Sequence, residues 1–357
     1  MKSLFEHKLR IAQVAPLWTR IPPAHYGGIE LLMKLLCDEL VAHGHEVTLF
    51  GSGDCHTAAK LHPVIRENLS EMMAQGEALM SEYYMSAAIS EALMQQDQFD
   101  VIHCHLSTGW LPVAATARKP CLFTLHTSPH ADDLWALGKF PQVPVAGISH
   151  AQVHAAELKL HRKIPVVYNG VDFESYEPSY EEGRYLVFLG RMSPEKNPLG
   201  AIRTAQALDM PIILAGQPQN SSEEEYFQNE IEPLLDDEMV RWIGPVNHPQ
   251  KVELLRHASA LLFPIQWEEP FGLVMIEAMA CGTPVVAHSR GSVEEVVDPG
   301  ITGFHATSLD ALPDLIPQAI SLNRRHVRDH ARERFGHRKM VADYLDLYQS
   351  LCGQTGE

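Results

Sequence analysis

The chain has 357 residues, 45% of them hydrophobic, which is enough for two domains of ordinary size, each with its own core. With 28 basic against 45 acidic residues the formal net charge is −17, which argues against a nucleic-acid partner, because phosphate backbones demand clustered Lys and Arg. No apolar run reaches the ~18 residues of a membrane span, and residues 1–10 lack the apolar stretch of a signal peptide, so a cytoplasmic protein is expected.

Residues 9–16 predict a first parallel strand. A long loop through Trp18, Pro22, Pro23 and Tyr26 then leads to Gly27-Gly28 and a helix over 29–42, with Leu31, Leu32, Leu35, Leu36 and Leu40 at helical spacing. A glycine turn that opens a helix after a first strand places unpaired backbone N–H groups where an anion can sit. Residues 46–50 predict the second strand, 52–60 a polar loop and 82–95 a helix. Further strands are expected at 101–105, 121–126, 145–149 and 166–168, with helices at 109–117 and 151–160. Such alternation implies a parallel sheet covered on both faces.

His103-Cys104-His105 offers only two ligands on one strand face and no third nearby, so a zinc site is not expected; a strand tip lining a cleft is the favoured reading. The six cysteines are scattered without a C-x-x-C pair and read as buried thiols. His126 stands at a strand end, where a histidine satisfied by backbone is as plain a reading as a functional one.

Asn169-Gly170-Val171-Asp172 closes the first domain, and residues 173–184 are acidic, turn-rich and without periodicity, as a linker should be. Residues 1–172 hold 13 Lys+Arg and 17 Asp+Glu, a net of −4, which leaves −13 for 173–357. No polybasic segment stands in the first domain to attract anionic lipid, so a soluble partner is slightly favoured. The second domain opens with a strand over 185–189 that delivers Gly190-Arg191. Asn197-Pro198 reads as an N-cap and a proline at N1 of a helix ending near 208. Lys196 then sits beside Arg191 at a positive helix end, and two cations held there are unfavourable unless an anion joins them.

Strands follow at 211–215, 240–243, 260–263 and 284–287. Beyond the third comes Trp267-Glu268-Glu269-Pro270-Phe271-Gly272, in the kind of loop where open α/β sheets bind ligands. The next helix should begin near Gly272 and stop on Gly282 with Pro284 behind it. Glu277, one turn inside that helix, could accept two hydrogen bonds from a vicinal diol such as a ribose. After Gly303 the chain reads as helical, with 324–334 a solvated, charged helix face and 340–351 amphipathic.

Taken in order, Gly27-Gly28-Ile29-Glu30, Asn169-Gly170-Val171-Asp172, Gly190-Arg191, Lys196-Asn197 and the 267–282 stretch resemble glycosyltransferase family 4 over nearly the whole chain. These are retaining, metal-independent sugar transferases of the GT-B fold. The resemblance implies an α/β protein of two Rossmann-like parallel-sheet domains facing across a cleft. Residues 1–172 would be an acceptor-binding domain, 173–335 a nucleotide-sugar-binding domain, and 336–357 a C-terminal helix packing back on the first.

The same resemblance implies a catalytic set of His126, Arg191, Lys196 and Glu269, with Glu269 on donor sugar hydroxyls and Glu277 on the ribose. It implies a donor-binding set of Gly27, Gly28, Val246, Pro270, Phe271, Gly272, Leu273, Val274 and Glu277. Thr127 follows His126 where many relatives place Asp, and Gly291-Ser292-Val293-Glu294-Glu295 departs at Ser292 and Glu294 from the family's G-G-x-P-E loop. The implied partner is a nucleotide-diphosphate sugar, UDP-sugar favoured, with a hydroxyl acceptor and neither metal nor cofactor. Loops over 18–26, 52–66 and 128–143 would shape the acceptor pocket. A nucleotide-sugar epimerase or hydrolase on the same fold, or a non-catalytic sugar-nucleotide-binding module, remains open.

Overall fold

The computed structural model describes residues 8–23, 27–236 and 238–353, so Tyr26 of the first long loop lies outside the described residues. The chain divides into two units, one formed by the residues up to Asn169 together with those from His337 on, the other by Gly170–Gly336.

The first unit is built on β1 (Arg10–Val14), β2 (Glu46–Ser52), β3 (Lys60–Ile65), β4 (Val101–Cys104), β5 (Cys121–Thr124) and β6 (Val145–Ala146), in the order β3-β2-β1-β4-β5-β6. The second carries β7 (Tyr185–Leu189), β8 (Ile212–Ala215), β9 (Val240–Trp242), β10 (Ala258–Phe263), β11 (Val285–His288) and β12 (Gly303–Ala306), in the order β12-β11-β10-β7-β8-β9. Every pairing is parallel. Counted from its own first strand, each sheet has the doubly wound Rossmann order, which reverses between first and fourth strands: β1 and β4 in one unit, β7 and β10 in the other.

Strands buried on both faces must be apolar throughout. β10 is buried along its whole length, and β4 likewise despite carrying His103. In the first unit Phe50, Ile102, Leu111 and Phe123 join one core cluster; in the second Leu186, Phe188, Ile202, Leu262 and Val286 join another. The helix Gly28–Ala42 buries Leu32, Met33, Leu36 and Leu40, close to the face its spacing predicts. The helix His337–Gly353 belongs to the first unit, where Met340, Val341, Tyr344, Leu345 and Tyr348 are buried. Among the described residues no helix is long and apolar enough to cross a membrane.

The structure corrects several expectations. β3 and β12, which the sequence does not announce, each form one of the two edges of their sheets. Pro63 within β3 is tolerated because an edge strand needs only one row of ladder bonds, and β12 is a four-residue G-F-H-A segment with no apolar run to signal it. The strand expected at 166–168 reduces to a single bridge between Val166 and Gly147. The helix expected at 109–117 is a short 3₁₀ turn, Thr108–Trp110, followed by Leu111–Ala114. In Arg324–Phe335, expected to be a solvated face, Arg324 and Arg328 are buried.

Candidate functional site

Each unit carries candidate residues at the carboxyl ends of its strands. In the second unit Arg191 follows β7 and Gly190, and its guanidinium meets Glu223 Oε1 at 2.6 Å and Glu195 Oε2 at 3.0 Å. Glu223 is buried and also accepts from the Gln219 amide at 2.8 Å. Lys196 pairs with Glu269 and lies 4.6 Å from the centre of the Trp267 ring, whose Nε1 donates to Glu269 Oε2 at 3.0 Å. The two cations beside one another therefore have carboxylate partners already. The charge conflict that pointed to an anionic ligand is met by Glu195, Glu223 and Glu269, and a diphosphate entering here would compete with ion pairs rather than fill a deficit.

Asn197 ties the two switch-point strands together. Its Oδ1 caps the helix Pro198–Ala207 by accepting from Gly200 N at 3.0 Å, and its Nδ2 donates at 2.9 Å to the carbonyl of Pro264 just beyond β10. Gln266 N donates to Glu195 O at 2.8 Å, a second link of the same kind. The loop past β10 is held from behind by Gly291 and Ser292. Gly291 has φ +55°, and a Cβ there would sit 2.2 Å from the Glu269 carbonyl oxygen. Ser292 donates through N to Glu269 O at 2.9 Å and through Oγ to Phe271 O at 2.8 Å. The departure at Ser292 from the family pattern thus supplies a bond that fastens the Glu269–Phe271 backbone.

Pro270 and Phe271 are buried and Phe271 packs edge-on against Phe335. Gly272, at φ +79°, turns the chain into the helix Leu273–Ala280, leaving Leu273 and Val274 partly exposed in its first turn. Glu277 is buried on that helix, and its Oε1 accepts from Tyr176 Oη at 2.9 Å and from Lys251. The diol reading asks Glu277 to accept two hydrogen bonds, and Oε1 is already engaged. Val246 is partly exposed between Gly244 and Asn247, the cap of the helix His248–Arg256.

In the first unit Gly27 precedes the helix Gly28–Ala42, and a Cβ on Gly27 would lie 2.7 Å from Pro23 Cβ and 2.9 Å from the Glu30 carboxylate. Glu30 is buried, which pushes its carboxyl pKa up. His126, just beyond β5, is partly exposed and stacks on His105 with ring centres 5.2 Å apart. Burial pushes its imidazole down to about 4, and the wholly buried His103 and His105 well below their usual value. Gln152 brackets it: Nε2 donates to the carbonyls of Leu125 at 2.6 Å and Thr127 at 2.9 Å.

His103 and His105 therefore serve a hydrogen-bond network, and among the described residues no group of three or more His, Cys, Asp or Glu is arranged to hold a metal ion. Of the loops expected to shape an acceptor pocket, 24–26 lie outside the described residues, while 52–66 and 128–143 contain β3 and the helix Ala131–Lys139. Glu223, Tyr176 and Lys251 had no motif to announce them. Only the preceding Asn220, an N-cap for Glu223 N at 3.0 Å, marks the turn that carries Glu223.

Two Rossmann-ordered parallel units in one chain, with paired cations at the second unit's switch point, define a protein of the GT-B fold. Comparison with known proteins agrees. Residues 26–175 match Glycosyltransferase Family 4 and residues 173–337 match Glycosyl transferases group 1. The chain belongs to this glycosyltransferase family. A D-inositol 3-phosphate glycosyltransferase of Mycolicibacterium vanbaalenii is 28% identical over 260 residues, a match covering 60% of this chain and 57% of that relative's length. Among solved structures, AviGT4, a glycosyltransferase involved in avilamycin A biosynthesis, is 25% identical with a TM-score of 0.71, covering 97% of this chain and 98% of that one. Anabaena HepE, solved with UDP and glucose, is 20% identical with a TM-score of 0.71, covering 96% of this chain and all 100% of that one.

Proposed function

We propose that the protein transfers a sugar from a nucleotide-diphosphate donor, UDP-sugar first, to a hydroxyl acceptor with retention at the anomeric carbon. The observation that carries this reading is the constellation around the second switch point. Arg191 and Lys196 are each paired with a buried carboxylate, and Glu277 is buried beyond Gly272 with one oxygen uncommitted among the described residues. A pyrophosphate is the ligand that guanidinium and ammonium groups at a strand end can hold. That HepE was solved with UDP and glucose supports UDP as the first donor to test.

In this reading the bond between C1 and the β-phosphate oxygen breaks, and the acceptor oxygen forms its bond to C1 on the face the phosphate leaves. The acceptor's proton passes to that phosphate. Arg191 and Lys196 stabilise the charge that builds on the diphosphate, while Glu269, released from Lys196, takes sugar hydroxyls. Gly27, Gly28 and His126 meet the sugar and phosphates, and Val246 edges the base. Pro270, Phe271, Gly272, Leu273 and Val274 present backbone to the donor.

A thermal-shift panel of UDP-, GDP- and ADP-sugars, followed by transfer assays with the stabilising donor, tests the reading. A UDP-sugar is expected to stabilise the protein and to yield an anomerically retained glycoside. Arg191→Ala and Lys196→Ala should each lower kcat by about 10²–10³. Stabilisation by none of the donors, or near wild-type turnover in both variants, rules it out.

A further inference from the structure

Inside the first unit seven side chains form one unbroken line of hydrogen bonds that ends on His126. His126 Nε2 lies 3.0 Å from His105 Nδ1, and His105 Nε2 lies 3.0 Å from Gln13 Oε1. Gln13 Nε2 donates to Tyr348 Oη at 3.1 Å, which is 2.7 Å from His103 Nδ1. His103 Nε2 meets Thr124 Oγ1 at 2.7 Å, and Thr124 meets Tyr344 Oη at 2.9 Å. All of them except His126 are buried. Gln13 and His105 belong to β1 and to the end of β4, the two strands between which the winding reverses.

A neutral imidazole has one N–H and one lone pair, so fixing the role of either nitrogen fixes the other. Gln13 Oε1 can only accept. His105 must then donate from Nε2 and accept at Nδ1, and His126 must donate from Nε2. The lone pair of His126 is left on Nδ1, which has no hydrogen-bond partner among the described residues. Turning the Gln13 amide over would reverse every bond in the line and put the proton on His126 Nδ1. A carboxylate next to the histidine, which Thr127 replaces, would have been the ordinary way to choose a tautomer; here the choice is made through His105.

We infer that Gln13 and His105 are positioning residues. They hold His126 as the neutral Nε2–H tautomer, so that its Nδ1 accepts a hydrogen bond from a hydroxyl of the bound sugar. The role of Tyr348 is to hold the Gln13 amide from the C-terminal helix. The inference rests on the reading of His126 as a sugar-binding residue, but the tautomer itself is a property of the free protein.

Two measurements test it. Long-range ¹H–¹⁵N correlation spectra of the ligand-free, full-length protein, assigned with His126→Gln, should show His126 protonated at Nε2. In Gln13→Leu, and to a smaller degree in the milder Tyr348→Phe, the signal should move toward a mixture of tautomers. The second measurement is the affinity ratio between the best-binding nucleotide sugar and its nucleoside diphosphate, which isolates the sugar's share. That ratio should fall in Gln13→Leu in proportion to the share of His126 that leaves the Nε2–H tautomer, about twofold for an even mixture, and by less in Tyr348→Phe.

His126 protonated at Nδ1 in the wild type, or a tautomer that ignores Gln13→Leu, overturns the inference. So does a changed tautomer with an unchanged affinity ratio. Failure to bind any nucleotide sugar would instead remove the proposed function, and the spectra would still decide the tautomer.

Discussion

Of the two carboxylate oxygens of Glu277, Oε1 is shared between Tyr176 Oη at 2.9 Å and the Lys251 ammonium. The carboxylate is thus oriented before any ligand arrives, and Oε2 is the oxygen that the proposed ribose contact would use. Burial and then the neighbouring negative charge push the Tyr176 phenol pKa far up, so Tyr176 remains a donor at any working pH. Glu277→Gln should weaken nucleotide binding by about 1–3 kcal/mol, through the loss of charge-assisted bonds. Tyr176→Phe, which removes one orienting bond, should cost about 1 kcal/mol. Isothermal titration with the nucleotide that stabilises the protein checks both. Wild-type affinity in the Glu277 variant would take that residue out of the ribose site. The spacing from Glu269 made Glu277 visible in the sequence, whereas Tyr176 lies 101 positions away and could be connected with it only by folding.

At the scale of elements, the helix Arg324–Phe335 is the clearest case of a segment whose sequence pattern misleads. Its composition is that of a surface helix, yet Arg328 donates to the carbonyls of Tyr176 at 2.7 Å, Phe173 at 2.6 Å and Ala280. Ala280 closes the helix that bears Glu277, so the guanidinium stands at the negative end of that helix dipole and satisfies one of its orphan carbonyls. Arg324 does similar service for Ser179 at 2.8 Å and Ala258 at 2.7 Å. Arg328→Met keeps much of the aliphatic volume but strands three acceptors, and should lower the stability of the intact chain by about 3 kcal/mol. Urea unfolding reads the loss. A shift below about 0.5 kcal/mol, the range of ordinary surface substitutions, would show that the carbonyls find other partners. Amphipathic periodicity cannot separate an arginine that faces water from one that faces carbonyls, because both are polar positions.

For the molecule as a whole, the buried histidines set a pH window. His45, His103, His105 and His126 all have pKa values lowered by burial, so the folded chain keeps them neutral where the unfolded chain binds protons. Below the unfolded value of about 6.5 the unfolded state holds more protons, and stability must fall as pH falls, by up to about 1.4 kcal/mol per pH unit per group. Stability should therefore decline between pH 6.5 and 4.5, ahead of any loss of carboxylate bonds such as that of Asp100 with Arg10, whose folded pKa is held low. Urea midpoints measured across pH 7 to 4.5 check this, and His103→Gln should flatten the slope. A midpoint that is level or rising toward pH 5 would contradict it.

The sequence alone determined the two parallel α/β units, the helix from Gly28, the turn at Gly272 and the residues of the family motifs. Those features depend on local signals: apolar runs, glycine and proline punctuation, and short spacings. Only the tertiary structure decided what each charged or polar group is paired with. Glu223 on Arg191, Lys251 on Glu277 and the line from Tyr344 to His126 join residues 21 to 335 positions apart at nearest and farthest. The edge strands β3 and β12 escaped for a related reason, since an outer strand is stabilised by its one neighbour more than by its own composition. Hydrogen bonds and ion pairs between distant segments carry no periodicity, and so leave no mark in the order of residues that form them.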